Sequence, residues 1–105
     1  MSKAWDDVLA ERRRQVEVEG FSVELDKGRG PQLALAAAAY ALSACEGSKS
    51  IRLRGVAKLV RRVWPWAPHV LKRKTSREDL VRSAALALAA VEQIDLCPAQ
   101  GQGEP

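Results

Sequence analysis

A chain of 105 residues, 47% of them apolar, supports one domain with a single core and little to spare. Its formal net charge of +4 conceals a strong polarity: Lys49 to Arg77 carry ten basic residues and no acid, while the other 76 residues hold the remaining 7 basic groups and all 13 acids. The longest apolar run, Leu33 to Leu42 counting Tyr40, is too short to cross a bilayer, and no hydrophobic signal region accompanies the charges from Lys3 on, so a cytoplasmic protein is expected and a membrane one excluded.

Aromatic residues make up only 5% of the chain, so the core must be built from Ala, Leu and Val, which suits close-packed helices. Ser2 is a good N-cap, and Asp6 and Asp7 sit at the positive end of the helix it opens. Trp5, Val8, Leu9, Arg12 and Val16 follow the helical period, which predicts a helix over 3–19 that stops at Gly20. Consecutive helical residues are about 100° apart, so Arg12, Arg13 and Arg14 cannot share a face. At least one of them is expected at the core boundary beside a carboxylate. Phe21 to Gly30 alternates weakly and then breaks at Gly28 and Gly30, a loop pattern.

Pro31 suits the first turn of a second helix, predicted over 31–45 with Gly47 beyond its end. Its Ala-rich body permits close helix approach, with Leu33, Leu35, Tyr40 and Leu42 as the larger knobs. Leu53, Val56, Leu59, Val60 and Val63 predict an amphipathic helix over 52–63, although Ile51 to Arg54 alternates and can start extended. Pro65 and Pro68 then impose an extended turn. Thr75 and Glu78 form a capping box, backed by Ser76 and Asp79, for a last helix over 76–95 whose apolar positions are Leu80, Val81, Ala84, Leu88, Val91 and Ile94. The expectation is an all-α, small single-domain bundle of about four helices spanning 1–96. The Pro-, Gly- and Gln-rich residues 97–105 form a disordered tail.

Little in the chain supports catalysis. His69 is the sole histidine, lies in a Pro-rich turn and has no accompanying nucleophile motif. Cys45 and Cys97 are isolated, which suggests reduced, inert thiols and no zinc site. Gly28-Arg29-Gly30-Pro31 lacks both the strand and the lysine of a phosphate loop. Glu11, Glu19, Glu24, Asp26, Asp79, Glu92 and Asp95 could in principle hold Mg²⁺, with Glu92 and Asp95 spaced for one helix face. A solvated acidic face accounts for the same pattern. No cofactor and no metal are expected.

Several blocks carry a resemblance. Glu11-Arg12-Arg13-Arg14-Gln15, Glu19-Gly20-Phe21, Leu33-Ala34, Ala37-Ala38, Tyr40-Ala41, Trp64-Pro65-Trp66, then Arg77, Asp79-Leu80-Val81-Arg82, Ala84-Ala85-Leu86 and Glu92 follow one another in order. Together they resemble a family of small uncharacterised phage and prophage proteins. The acidic helices of that family are similar to those of all-α nucleotide pyrophosphohydrolases, which hold Mg²⁺ with carboxylates. Where the family has E-H-D-D, this chain has Glu24-Leu25-Asp26-Lys27, and where it has G-E-L-A, this chain has Pro31-Gln32-Leu33-Ala34. A cation and an amide thus replace acids, and Lys27 would repel a metal.

In size and helical character the chain is also similar to anti-CRISPR proteins of type I systems carried by prophages. The resemblance implies a non-enzymatic binding protein that contacts a host defence protein, either the CRISPR-Cas complex or its nuclease. A nucleic-acid-binding phage accessory protein, and a Mg²⁺-dependent all-α nucleotide pyrophosphohydrolase-like protein or its inactive relic, are the alternatives. The expected partner-binding residues are Arg61, Arg62, Trp64, Trp66, Lys72, Arg73 and Lys74, where charge steering and exposed aromatic anchors coincide. The acidic surface of Asp6, Asp7, Glu17 and Glu24 is the second candidate.

Overall fold

The structure, a computed structural model, describes residues 2–20, 28–46 and 54–96. Expectations for Glu24, Asp26 and Lys27, for residues 47–53, for Cys97 and for the tail lie outside these residues. Four α-helices occur in the described chain and no strand accompanies them, so the protein is a small all-α bundle.

Helix α1 spans Lys3–Glu17. The Ser2 Oγ accepts from the Trp5 backbone N–H at 3.1 Å, which satisfies one donor of the first turn. The helix ends two residues short of Glu19. Val18 N–H still reaches the Arg14 carbonyl at 2.8 Å, but Gly20 adopts a left-handed φ of 74°, and the chain leaves the helical path ahead of it.

Helix α2 spans Gly30–Cys45, with Pro31 in its first turn as the sequence suggests. Helix α4 spans Ser76–Leu96 and packs along α2. Their interface is lined by Ala36, Ala37, Ala89 and Ala90, with Leu33, Tyr40 and Leu86 filling the gaps. Two alanine surfaces meeting bring the backbones close together. Close approach also lets the Ser83 hydroxyl donate to the Ala37 carbonyl at 2.7 Å. Of the four expected knobs, Leu33 and Tyr40 are buried and Leu42 half-buried, whereas Leu35 faces outward at 44% exposure.

Helix α3 spans Val56–Val63, shorter than the expected 52–63. Gly55 precedes it with a left-handed φ of 71°, a conformation no continuing helix can hold, so Arg54 and Gly55 stay outside. Val56 and Val60 bury against Ala39 of α2. A 3₁₀ turn, Pro68–Val70, follows. The capping box then opens α4: Glu78 N–H donates to Thr75 Oγ1 at 3.2 Å, and Thr75 N–H donates back to Glu78 Oε1 at 3.4 Å.

The largest departure from the sequence reading concerns which stripes face the core. On α4 the buried stripe is Ala85, Leu86, Ala89, Ala90 and Gln93, while Leu80 and Val91 stand about half exposed. On α1 the only buried side chains are Arg12 and Gln15. Arg12 is the arginine expected at the core boundary. Its Nε and Nη2 both donate to Glu92 Oε1, at 2.9 and 2.7 Å, tying α1 to α4.

Candidate protein-binding surface

Trp64 is set by the end of α3, where its N–H closes the helix on the Val60 carbonyl at 3.0 Å. Its indole Nε1 donates to the Ala67 carbonyl at 3.0 Å, holding the Trp64–Ala67 turn in a tight loop. The ring meets Tyr40 and Trp66 edge to face, with centroids 5.6 and 5.3 Å away and interplanar angles of 89° in both cases. Trp64, Trp66 and Leu71 all pack against the α2–α4 core. The expectation of two exposed tryptophans is therefore corrected. Both are half-buried, because the Pro65 turn folds them onto the end of the bundle.

The basic segment after this turn is pinned by Tyr40, which the sequence offers only as a core knob of α2. The Tyr40 hydroxyl accepts from Lys72 N–H at 2.9 Å and from Arg82 Nη1 at 3.3 Å. Arg82 Nη1 also donates to the Lys72 carbonyl at 3.0 Å, and its guanidinium lies over the Tyr40 ring, 5.3 Å from the centroid. One signal was available. Tyr40 is the only polar aromatic in an otherwise alanine-rich helix, and a buried phenol must find partners.

The band's charges divide into two groups. Arg73 forms an ion pair with Glu46, and Arg77 one with Asp7 at 2.9 Å. Arg54, Lys58, Arg61, Arg62, Lys72 and Lys74 are exposed and form no ion pair with a described residue. Arg61 and Arg62 occupy the last turn of α3, where the helix carbonyl end favours cations. Of the seven expected binding residues, six thus stand as surface cations or cleft walls, and Arg73 is neutralised. Lys49 and Arg52 lie outside the described residues.

Between the tryptophans and the end of α1 lies a cleft of about 250 Å³. Trp64, Trp66 and Tyr40 supply aromatic surface, Lys72, Arg82 and the acid Glu19 the charge, and Gln15 the far wall. The Gln15 Nε2 is committed to Glu11 Oε2 at 3.2 Å, while its buried Oε1 has no partner among the described residues. Neither Gln15 nor Arg82 was legible as a site residue, since both come from helices remote in sequence.

A second, open cleft of about 400 Å³ between α1 and α4 is lined by the paired charges Asp7, Glu11, Arg14, Arg77 and Arg82, together with Lys74 and Glu78. Arg14 grips Glu11 with two bonds of 2.8 and 2.7 Å. Burial pushes the Glu11 carboxyl up, but the hydrogen bonds and charge of Arg14, with Gln15 and Arg82, outweigh it and hold the group below its usual range. Hydrogen bonds from Lys3 and then Arg77 lower Asp7 in the same way. Much of the acidic face is therefore consumed internally, leaving Asp6 and Glu17 exposed, with Glu24 outside the described residues.

Among the described residues no three His, Cys, Asp or Glu side chains gather as a metal site. Glu92, three residues before Asp95 on α4, is held by Arg12. His69 is exposed in the 3₁₀ turn. No described helix is long and apolar enough to cross a membrane. No family model, no curated protein and no solved structure matches the chain.

Proposed function

We propose that the protein is a non-enzymatic inhibitor of a bacterial defence system, encoded by a phage or prophage and of the anti-CRISPR type directed at type I systems. On this reading it acts in the bacterial cytoplasm by binding a protein component of the defence complex. The observation that carries it is the pairing of the aromatic cleft with exposed cations: Lys72 lines the cleft together with Glu19, and Arg61 and Arg62 are exposed and form no ion pair with a described residue. A cleft of about 250 Å³ falls below the roughly 300–1,000 Å³ of small-molecule sites, so it suits one side chain of a protein partner. A buried anchor beside a charged rim is how protein interfaces concentrate binding energy. The resemblance to small phage and prophage proteins, with Lys27 and Gln32 replacing acids of that family, supports a scaffold used for binding.

The test is the double reversal Arg61→Glu/Arg62→Glu. Neither residue is buried, so the fold should persist, while association with the defence complex slows by about tenfold or more and wild-type affinity falls as salt rises. Inhibition and complex capture that survive the reversal would reject the basic band. Retention of duplex or single-stranded nucleic acid at physiological salt, without capture of a defence protein, would reject the protein-binding reading in favour of nucleic acid.

A further inference from the structure

The apolar stripe of α1 is turned away from the core. Trp5 is 52% and Leu9 41% exposed, and Val16 continues the same edge. Beside it α4 presents Leu80 and Val91, 53% and 50% exposed, with the small Ala84 and Ala87 between them. Together the two helices flank an apolar groove of about 530 Å³. Single exposed apolar residues are ordinary, but a continuous face shared by two helices marks an interaction surface.

The charges beside the stripe say what covers it. On α1, Lys3, Asp7, Glu11, Arg12 and Arg14 all make ion pairs within the chain. Glu17, at the far end of the helix, is exposed and makes none with a described residue, and neither do the exposed Asp6 and Arg13. Asp6 and Arg13 lie about two turns apart along the same edge of the helix. A second α1 running antiparallel across Leu9 sets each Asp6 opposite the copy's Arg13, so one pair of residues yields two reciprocal ion pairs. That is the self-complementarity a two-fold interface demands. A partner of one charge sign would be attracted by one of these residues and repelled by the other.

We infer that the protein forms a two-fold symmetric homodimer through the α1–α4 face, with α1 and α4 of both copies making a four-helix bundle. The inference is independent of the proposed function, because Arg61 and Arg62 sit on α3, which packs on α2. It also gives the large apolar residues of α1 a burial they lack in the single chain.

Sedimentation equilibrium of the purified full chain, from low to high micromolar, tests it. The wild type should sediment as a dimer. Asp6→Arg alone, or Arg13→Asp alone, sets like charges against each other and should weaken the dimer by about tenfold, with helical circular dichroism unchanged. The double exchange Asp6→Arg/Arg13→Asp restores opposite signs and should return affinity to within about threefold of wild type. A wild type that stays monomeric throughout, or a double exchange no tighter than the single variants, overturns the inference. So does a monomer in which Leu9→Arg abolishes capture of a separate protein, which would give the face to that partner.

Discussion

Replacing Glu92 by alanine should undock α1. The Arg12 side chain is only 8% exposed and loses its carboxylate, whereas Glu92 is 37% exposed and partly reached by water. Breaking a fully buried ion pair costs about 3–5 kcal/mol, and solvent contact on the acid side reduces that. Two charge-assisted bonds of 2.9 and 2.7 Å place the loss at about 2 kcal/mol. For a domain of this size that corresponds to a Tm lower by roughly 8–16 °C in a circular dichroism melt at fixed protein concentration. The effect should also be local. Within the single chain no apolar side chain of α1 is fully buried, so hydrogen exchange at a concentration where the chain is monomeric should show Lys3–Glu17 losing protection while α2 and α4 keep theirs. Glu92→Gln, which keeps an acceptor, should fall between the two. A Tm within about 2 °C of wild type, with α1 protection unchanged, would refute the view that this ion pair holds the helix.

Tyr40→Phe leaves the Lys72 N–H without its acceptor and should cost about 1–2 kcal/mol, read as a shifted urea midpoint with faster exchange at Lys72. Ala89→Leu forces three heavy atoms into a contact that is 1% exposed, and should destabilise by about 1–3 kcal/mol in the same assay. Glu11 titrates in the folded chain below its ordinary 4.5, so its stabilisation is whole above that pH and disappears as pH falls through the folded value. Glu11→Gln should therefore flatten the acid side of the stability curve below about pH 4.5, and an unchanged acid limb would contradict the Arg14 pairing.

Local chemistry determined the elements. Ser2, Pro31 and the Thr75–Glu78 capping box mark helix starts because they satisfy or omit backbone donors within a few residues, which any reader of the chain can count. That one arginine reaches the core boundary followed from three in a row, since consecutive positions cannot all face water; that it is Arg12 is decided by the packing of α1 on α4. The shortening of α3 was only half legible: Gly55 was visible as a weak point, but its left-handed φ appears only in the folded chain.

What the tertiary structure decided is the choice between equivalent stripes. Both Leu80-Ala84-Leu88-Val91 and Ala85-Ala89 recur with the helical period, so periodicity cannot rank them, and hydropathy alone favours the larger residues. The alanine stripe wins the core because α2 also presents alanines, and two small surfaces can approach closely enough to bury Leu33, Tyr40 and Leu86 between them. The same choice turns Trp5, Leu9, Leu80 and Val91 outward. It also brings Tyr40 and Arg82 beneath the Trp64–Trp66 turn. The sequence determined the helices and the charged band on its own, because caps, breakers and charges act within a few residues. Their neighbours required the fold, because contacts across dozens of residues depend on the fit of whole surfaces.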